Sequence, residues 1–295
     1  MKKEVEKLKA KLNLSSIKKQ IESKISKTKF SKSEQILNQR PKIPELKHGK
    51  VHKNWIKTGI PGFDELLETG IPEETSILIS GSPGSGKTIF CLQTIVNLAK
   101  QGKKCLYMTF EEDPENLKEH MRDFGWNPDL LEKKETLKII KFSTFEVSRQ
   151  VEAMLEKAKG ELLIDVKPIL FPQKYSPDII VIDSLSAIGA SFLGKEDVYR
   201  IYIEQLFDLL RKSKVTSFLI SETVDVITKL SSGGVEEFMA DGVIVLYNIR
   251  SENVRESAIE VLKLRGTKHK KKIVAMQITD KGIVIYPEQE VFGKV

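Results

Sequence analysis

Along most of the chain, short apolar runs alternate with stretches in which apolar residues recur every three or four positions. Ser76–Ser80, Lys104–Thr109, Leu137–Phe142, Ile179–Asp183 and Ser217–Ser221 are short and rich in β-branched and aliphatic residues, which predicts strands. Ile89–Lys100, Pro114–Phe124, Ser148–Lys159 and Asp197–Arg211 lie between them and predict helices. Strands apolar on both faces and separated by helices imply a parallel sheet covered on both sides. After Asp241 the pattern changes. Gly242–Leu246, Ala258–Leu264, Lys272–Ile278 and Ile283–Tyr286 read as strands joined by turns, of which Asp280-Lys281-Gly282 is the clearest. The predicted fold class is therefore α/β, with a mainly parallel sheet that ends in antiparallel strands. No internal repeat is visible.

The first fifty residues differ from the rest. Val5, Leu8 and Leu12, then Ile17, Ile21 and Ile25, are spaced for a helix, broken at Ser15-Ser16. Pro41 and Pro44 mark residues 31–50 as a linker. Residues 1–50 carry fifteen Lys/Arg and five Asp/Glu, a charge of 15 − 5 = +10. The whole chain carries +7, so residues 51–295 carry 7 − 10 = −3, and the pI near 9.1 belongs to the extension. The expected organisation is a basic extension, 1–50, followed by a folded body, 51–295. Three readings of the extension stay open: a solvated segment, a helix for a protein partner, or an electrostatic grip on nucleic acid or a membrane surface.

Other chemistry is limited. No run of about eighteen apolar residues occurs, so no membrane span is expected. The Lys-rich start lacks an apolar stretch with a cleavage site, so a cytoplasmic location is expected. Cys91 and Cys105 fall in segments that read as buried, and reduced core thiols are expected. His48, His52, His120 and His269 are scattered without metal-ligand spacing.

Gly81-Ser82-Pro83-Gly84-Ser85-Gly86-Lys87-Thr88 fits G-x-x-x-x-G-K-[ST], between an apolar strand and a helix. Glycines let such a loop curl so that backbone N–H groups face phosphate oxygens, and the helix adds its positive end. Contacts to ATP are expected along Ser82, Pro83, Gly84, Ser85, Gly86, Lys87, Thr88 and Ile89. Lys87 would neutralise the β- and γ-phosphates, and the Thr88 hydroxyl would ligate Mg²⁺. Ile179-Ile180-Val181-Ile182 is a deep strand that delivers Asp183 at its carboxyl end, where a carboxylate can hold the magnesium through water. Glu111 and Glu112 follow another buried strand, and one of them can orient and deprotonate an attacking water. Lys263 and Arg265 share one face of a strand by period-two spacing. They suit either a polyphosphate clamp or a charged sheet edge that resists aggregation.

Taken together, these residues resemble the RecA-like ATPase domain of the KaiC family over about residues 54–290. The resemblance includes Thr58-Gly59-Ile60-Pro61-Gly62-Phe63-Asp64-Glu65-Leu66 ahead of the phosphate loop, Thr109-Phe110-Glu111-Glu112-Asp113-Pro114, and Phe124-Gly125-Trp126. It continues through Val181-Ile182-Asp183-Ser184, Gly234–Gly242, Leu262–His269 and Ile278–Gly282. It implies ATP held between subunits of a hexameric ring, with Glu111 as general base and Glu112 as its companion. It implies that Lys263 and Arg265 reach the γ-phosphate of the neighbouring subunit. Leu264, Thr267, His269, Thr279 and Asp280 would line the same cross-subunit site. Hydrolysis would then drive a shape change felt by an unidentified protein partner.

Three features depart from the family pattern. One such domain is present where KaiC has two in tandem, so a clock function is not implied. Glu236-Glu237-Phe238-Met239-Ala240 carries no hydroxyl where the autokinase domain has acceptors, so it matches the ATPase-type domain. Gly160–Asp178 is longer than the family's usual connection, and its apolar Leu162-Leu163-Ile164 and Ile169-Leu170-Phe171-Pro172 suggest an added hairpin or flap. Two rival functions are a nucleic-acid-handling ATPase of the RadA/RecA type and a signalling or autokinase switch. Against the first, Lys229-Leu230-Ser231-Ser232-Gly233-Gly234 has one cation and no aromatic on which bases could stack.

Overall fold

In the computed structural model, apolar residues alternate between two cores as the strands pass between them. On β3 (Ser76–Gly81), Ile77 and Ile79 enter one core while Leu78 enters the other. β6 (Ile179–Asp183) does the same, with Ile179 and Val181 on one side and Ile180 and Ile182 on the other. Period-two geometry and apolar residues at consecutive positions thus produce a sheet buried on both faces. The structure describes residues 54–158, 172, 175–223, 231, 234–251 and 254–291. The basic extension, most of the apolar insertion and most of the Lys229–Gly234 loop lie outside them. No helix among the described residues is long and apolar enough to cross a membrane.

In chain order the elements are β1 (Trp55–Ile56), a 3₁₀ turn (Asp64–Leu66), β2 (Ile71–Pro72), β3, α1 (Lys87–Lys100), β4 (Cys105–Thr109), α2 (Pro114–Asp123) and α3 (Pro128–Lys133). There follow β5 (Leu137–Lys141), α4 (Thr144–Ala158), β6, α5 (Leu185–Ala190), α6 (Glu196–Lys212) and β7 (Thr216–Glu222). Last come α7 (Glu236–Met239), β8 (Gly242–Ser251), β9 (Val254–Leu264), β10 (Val274–Thr279) and β11 (Gly282–Glu290). Among the described residues, nine strands form one sheet in the order β11-β10-β9-β8-β3-β7-β6-β4-β5. The six from β8 to β5 are parallel, and β9, β10 and β11 continue antiparallel. This is the α/β architecture expected from the sequence. α1 covers one face through Phe90, Leu92, Ile95 and Val96. α6 covers the other through Tyr199, Tyr202, Ile203, Leu206 and Leu210.

Several bounds differ from the sequence reading. α4 begins at Thr144, not Ser148, because the Ser143 hydroxyl accepts the Phe145 N–H at 3.2 Å and opens the helix earlier. β8 and β9 run well beyond their apolar stretches and pair from Gly242↔Leu264 out to Ser251↔Val254, carrying polar residues such as Asn248 and Glu256. α3 and α5, six residues each, are too short to show a helical period. Each is started by a side-chain cap, Asn127 for α3 and Ser184 for α5.

Candidate active site

β3 is central in the sheet, and the chain leaves its carboxyl end through the glycine loop into α1. Gly84 and Gly86 have φ of +76° and +95°, a region side chains rarely adopt. Gly86 precedes α1, and no side chain caps that helix start. A Cβ on Gly81 would lie 2.5 Å from the Leu246 carbonyl and from Ser85 Oγ, so the loop's entry is tight against β8. Ser85 Oγ is buried and has no hydrogen-bond partner. Lys87 is 5% exposed, with Nζ 3.0 Å from the Ser82 carbonyl and 3.4 Å from Glu222 Oε1. An uncapped helix start, an orphaned hydroxyl and a nearly buried ammonium in one loop fit a phosphate chain.

Asp183 emerges two strands away, at the end of β6. Thr88 Oγ1 donates to its Oδ2 at 3.1 Å, and the Tyr107 hydroxyl donates to the same oxygen at 2.5 Å. Burial pushes the Asp183 carboxyl up; the bonds from Tyr107 and Thr88 oppose this, nearby Glu111 adds to it, and Lys87 opposes it. Capping of the following helix α5 falls to Ser184, whose Oγ accepts the Ala187 N–H at 3.1 Å. The aspartate is thereby left to Tyr107 and Thr88, and Thr88 and Asp183 together offer the oxygen donors a magnesium ion prefers.

The adjacent acids diverge. Ser184 Oγ donates to Glu111 Oε1 at 2.8 Å, which places Glu111 beside Asp183. Glu112 instead has Oε1 3.3 Å from His120 Nδ1 on α2, with its backbone N–H bonded to Thr109 Oγ1 at 3.0 Å. Glu222, at the end of β7 and in register with Gly81, was not singled out from the sequence. Its signal is the one that marks Asp183: a carboxylate closing a buried apolar strand.

The basic-strand residues sit elsewhere. Leu264 pairs with Gly242, and Gly242 with Ile77, four residues upstream of Gly81. Lys263 and Arg265 therefore flank the amino end of β3, about 13 Å along the strands and two strands, about 10 Å, across from the start of the phosphate loop. Lys263 Nζ donates to the carbonyls of Glu237 at 3.0 Å and Ala240 at 2.7 Å, at the end of α7. Arg265 donates to the Phe238 carbonyl at 3.2 Å, and its guanidinium lies 3.6 Å from Asp241. Burial, then the charge of Arg265, lower the Lys263 pKa. The Leu264 side chain is in the core, so only its backbone is available to a ligand. The Thr267 hydroxyl bonds to Lys268, and both ring nitrogens of His269 are buried without partners.

Thr279 and Asp280 part company with this group. The preceding Ile278 comes within 3.2 Å of where a Gly86 Cβ would be, so the β10–β11 turn lies beside the chain's own phosphate loop. Gln93 of α1 holds that hairpin by donating to the Ile283 carbonyl at 3.1 Å and accepting the Ile283 N–H at 2.6 Å.

Comparison with known proteins identifies the family. Residues 56–290 match the family model described as "ATPase: KaiC". The chain is 36% identical over 233 residues to the circadian clock protein KaiC3 of Synechocystis, covering 79% of this chain and 45% of that protein. It therefore spans about half the length of that relative. It is also 36% identical over 239 residues to a UPF0273 protein of Thermotoga maritima, covering 79% of this chain and 96% of the relative. Among solved structures, the crystal structure of a KaiC-like protein from Pyrococcus horikoshii superposes with a TM-score of 0.65 at 33% identity, covering 80% of this chain and all of that one. By this match over most of its length, and with the phosphate loop, Asp183 and Glu111 gathered at the carboxyl ends of the parallel strands, the chain belongs to the KaiC ATPase family.

Proposed function

We propose that this protein hydrolyses Mg·ATP at sites shared between subunits of a ring, most simply a hexamer, and that hydrolysis changes the ring's shape for a protein partner. The observation that carries this reading is the strand register. Lys263 and Arg265, at the end of β9, lie level with the amino end of β3, whereas the glycine loop leaves β3 at its carboxyl end. Neither cation can serve the chain's own phosphates, yet both can serve those of a neighbour stacked head to tail. Phe238 beside Arg265 is 73% exposed, the kind of apolar residue a subunit contact covers.

In this mechanism Lys87 leaves Glu222 for the β- and γ-phosphates, while backbone N–H groups of the loop and the start of α1 hold the remaining oxygens. Thr88 and Asp183 would hold magnesium, which when bound would neutralise phosphate charge. Glu111, oriented by Ser184, takes a proton from the attacking water. Arg265 and Lys263 of the adjacent subunit stabilise charge on the transferred phosphoryl group.

The test is to mix two inactive variants. Lys87→Ala removes the phosphate contact, and Arg265→Ala removes the trans cation. Mixed rings contain interfaces at which an intact loop meets an intact arginine. Phosphate release from the mixture is expected to exceed the sum of the two parents. Activity that stays at the weighted sum at every ratio would show that each site is complete within one chain.

A further inference from the structure

Tyr107 is fully buried in the middle of β4, next to β6 in the sheet. A buried tyrosine needs an acceptor for its hydroxyl, and any backbone carbonyl would do. Here the acceptor is Asp183 Oδ2, at 2.5 Å, a short charge-assisted bond. The Thr88 hydroxyl donates to the same oxygen at 3.1 Å. Both protein donors thus converge on Oδ2, and Oδ1 receives neither. The carboxylate is pinned from the neighbouring strand by a side chain outside the phosphate loop.

We propose that Tyr107 is a metal-selecting residue: by making the shorter of the two hydrogen bonds that hold Oδ2 it restricts Asp183 to single-oxygen contact with the metal's coordination sphere, favouring Mg²⁺ over Ca²⁺. The proposal rests on the reading that Thr88 and Asp183 hold the metal. Ca²⁺ takes six to eight oxygens and accepts a carboxylate through both of its oxygens, whereas Mg²⁺ demands six in an octahedron and keeps several waters. A carboxylate with one oxygen held by a short hydrogen bond cannot chelate through both without breaking that bond. It still accepts a hydrogen bond from a metal-bound water through Oδ1. Tyr107 touches neither nucleotide nor metal in this scheme; it acts through Asp183 as a positioning residue.

Calorimetric titration of Mg²⁺ and Ca²⁺ into the ADP complexes of wild-type and Tyr107→Phe full-length protein tests this. Phenylalanine keeps the ring that fills the core and removes only the donor. The ratio of Ca²⁺ to Mg²⁺ affinity is expected to rise about tenfold in the variant, the scale of a lost outer partner at a metal site. ADP affinity in the presence of EDTA should stay unchanged. Tyr107→Met, which lacks the hydroxyl but keeps apolar bulk, must shift the ratio in the same direction. An unchanged ratio, or an equal fall for both ions, would overturn the proposal and leave Tyr107 as a core residue. Wild-type protein that binds ADP equally well with and without Mg²⁺ would overturn the metal site itself, a separate result visible before any variant is made.

Discussion

Glu111 and Glu112 are neighbours of identical chemistry, and the fold sends them to different partners. Sequence alone places at least one carboxylate near the phosphates but cannot say which. The Ser184 hydroxyl reaches Glu111, and His120 faces Glu112, because α2 begins at Pro114, one capping residue after the pair, and the second acid lies against that helix. Glu111→Gln is therefore expected to leave ATP binding intact and slow phosphate release by about two orders of magnitude, the scale of a lost general base. Glu112→Gln breaks only a partly exposed contact, worth about 0–1 kcal/mol, and should change turnover by less than about fivefold. Steady-state assays of both variants decide the assignment, and an equal loss in the two would reject it. Ser184 and Tyr107 had no such signal in the sequence. Each bonds a partner distant in sequence, Glu111 just past β4 for Ser184 and Asp183 on β6 for Tyr107, and that adjacency exists only once β4 and β6 pair.

Long apolar strands and the helices between them were readable because burial on two faces leaves a continuous hydrophobic run. The outer ends of β8 and β9 were not, since an antiparallel pair alternates polar residues outward and the run dissolves. Contacts between elements were equally hidden. Gln93 reads as an ordinary polar residue on an amphipathic helix. In the fold it is buried and satisfies both backbone groups of Ile283, tying α1 to the β10–β11 hairpin. Gly282, with φ of +114°, leaves room for this, since a Cβ there would lie 2.6 Å from Gln93 Oε1. Gln93→Leu would leave a buried N–H and a buried carbonyl unpaired, at about 1–3 kcal/mol each. Denaturant unfolding is expected to show a loss on the order of 3 kcal/mol. ATP affinity should fall with it, because the same hairpin sets Ile278 against Gly86. An unchanged midpoint would mean that the hairpin is held by its apolar contacts alone.

At the scale of the whole molecule, charge and chemistry are separated along the chain. Residues 1–50 carry +10, and the remaining 245 carry −3 by the count above. Every nucleotide motif lies after residue 53, as does the first strand among the described residues. The motifs made the chemistry of the body legible, whereas the extension has composition and spacing but no motif. Composition fixes where attraction to a polyanion must originate without fixing what the partner is. Removing residues 1–50 is thus expected to leave ATP binding within about twofold, a difference below about 0.4 kcal/mol. Any affinity for DNA or RNA should be lost with the extension. Fluorescence anisotropy at salt concentrations from about 50 to 200 mM checks this, since the slope of log affinity against log salt counts the phosphates neutralised. A protein-docking helix would behave differently: binding to its partner would respond weakly to salt and strongly to Leu8, Leu12, Ile17 and Ile21. If the truncated chain bound nucleic acid as tightly as the full chain, with the same slope, the grip would lie on a body that is net acidic. Only a local cluster such as Lys268, Lys270, Lys271 and Lys272 could then supply it, and the RecA-type reading of the ring would have to be reopened.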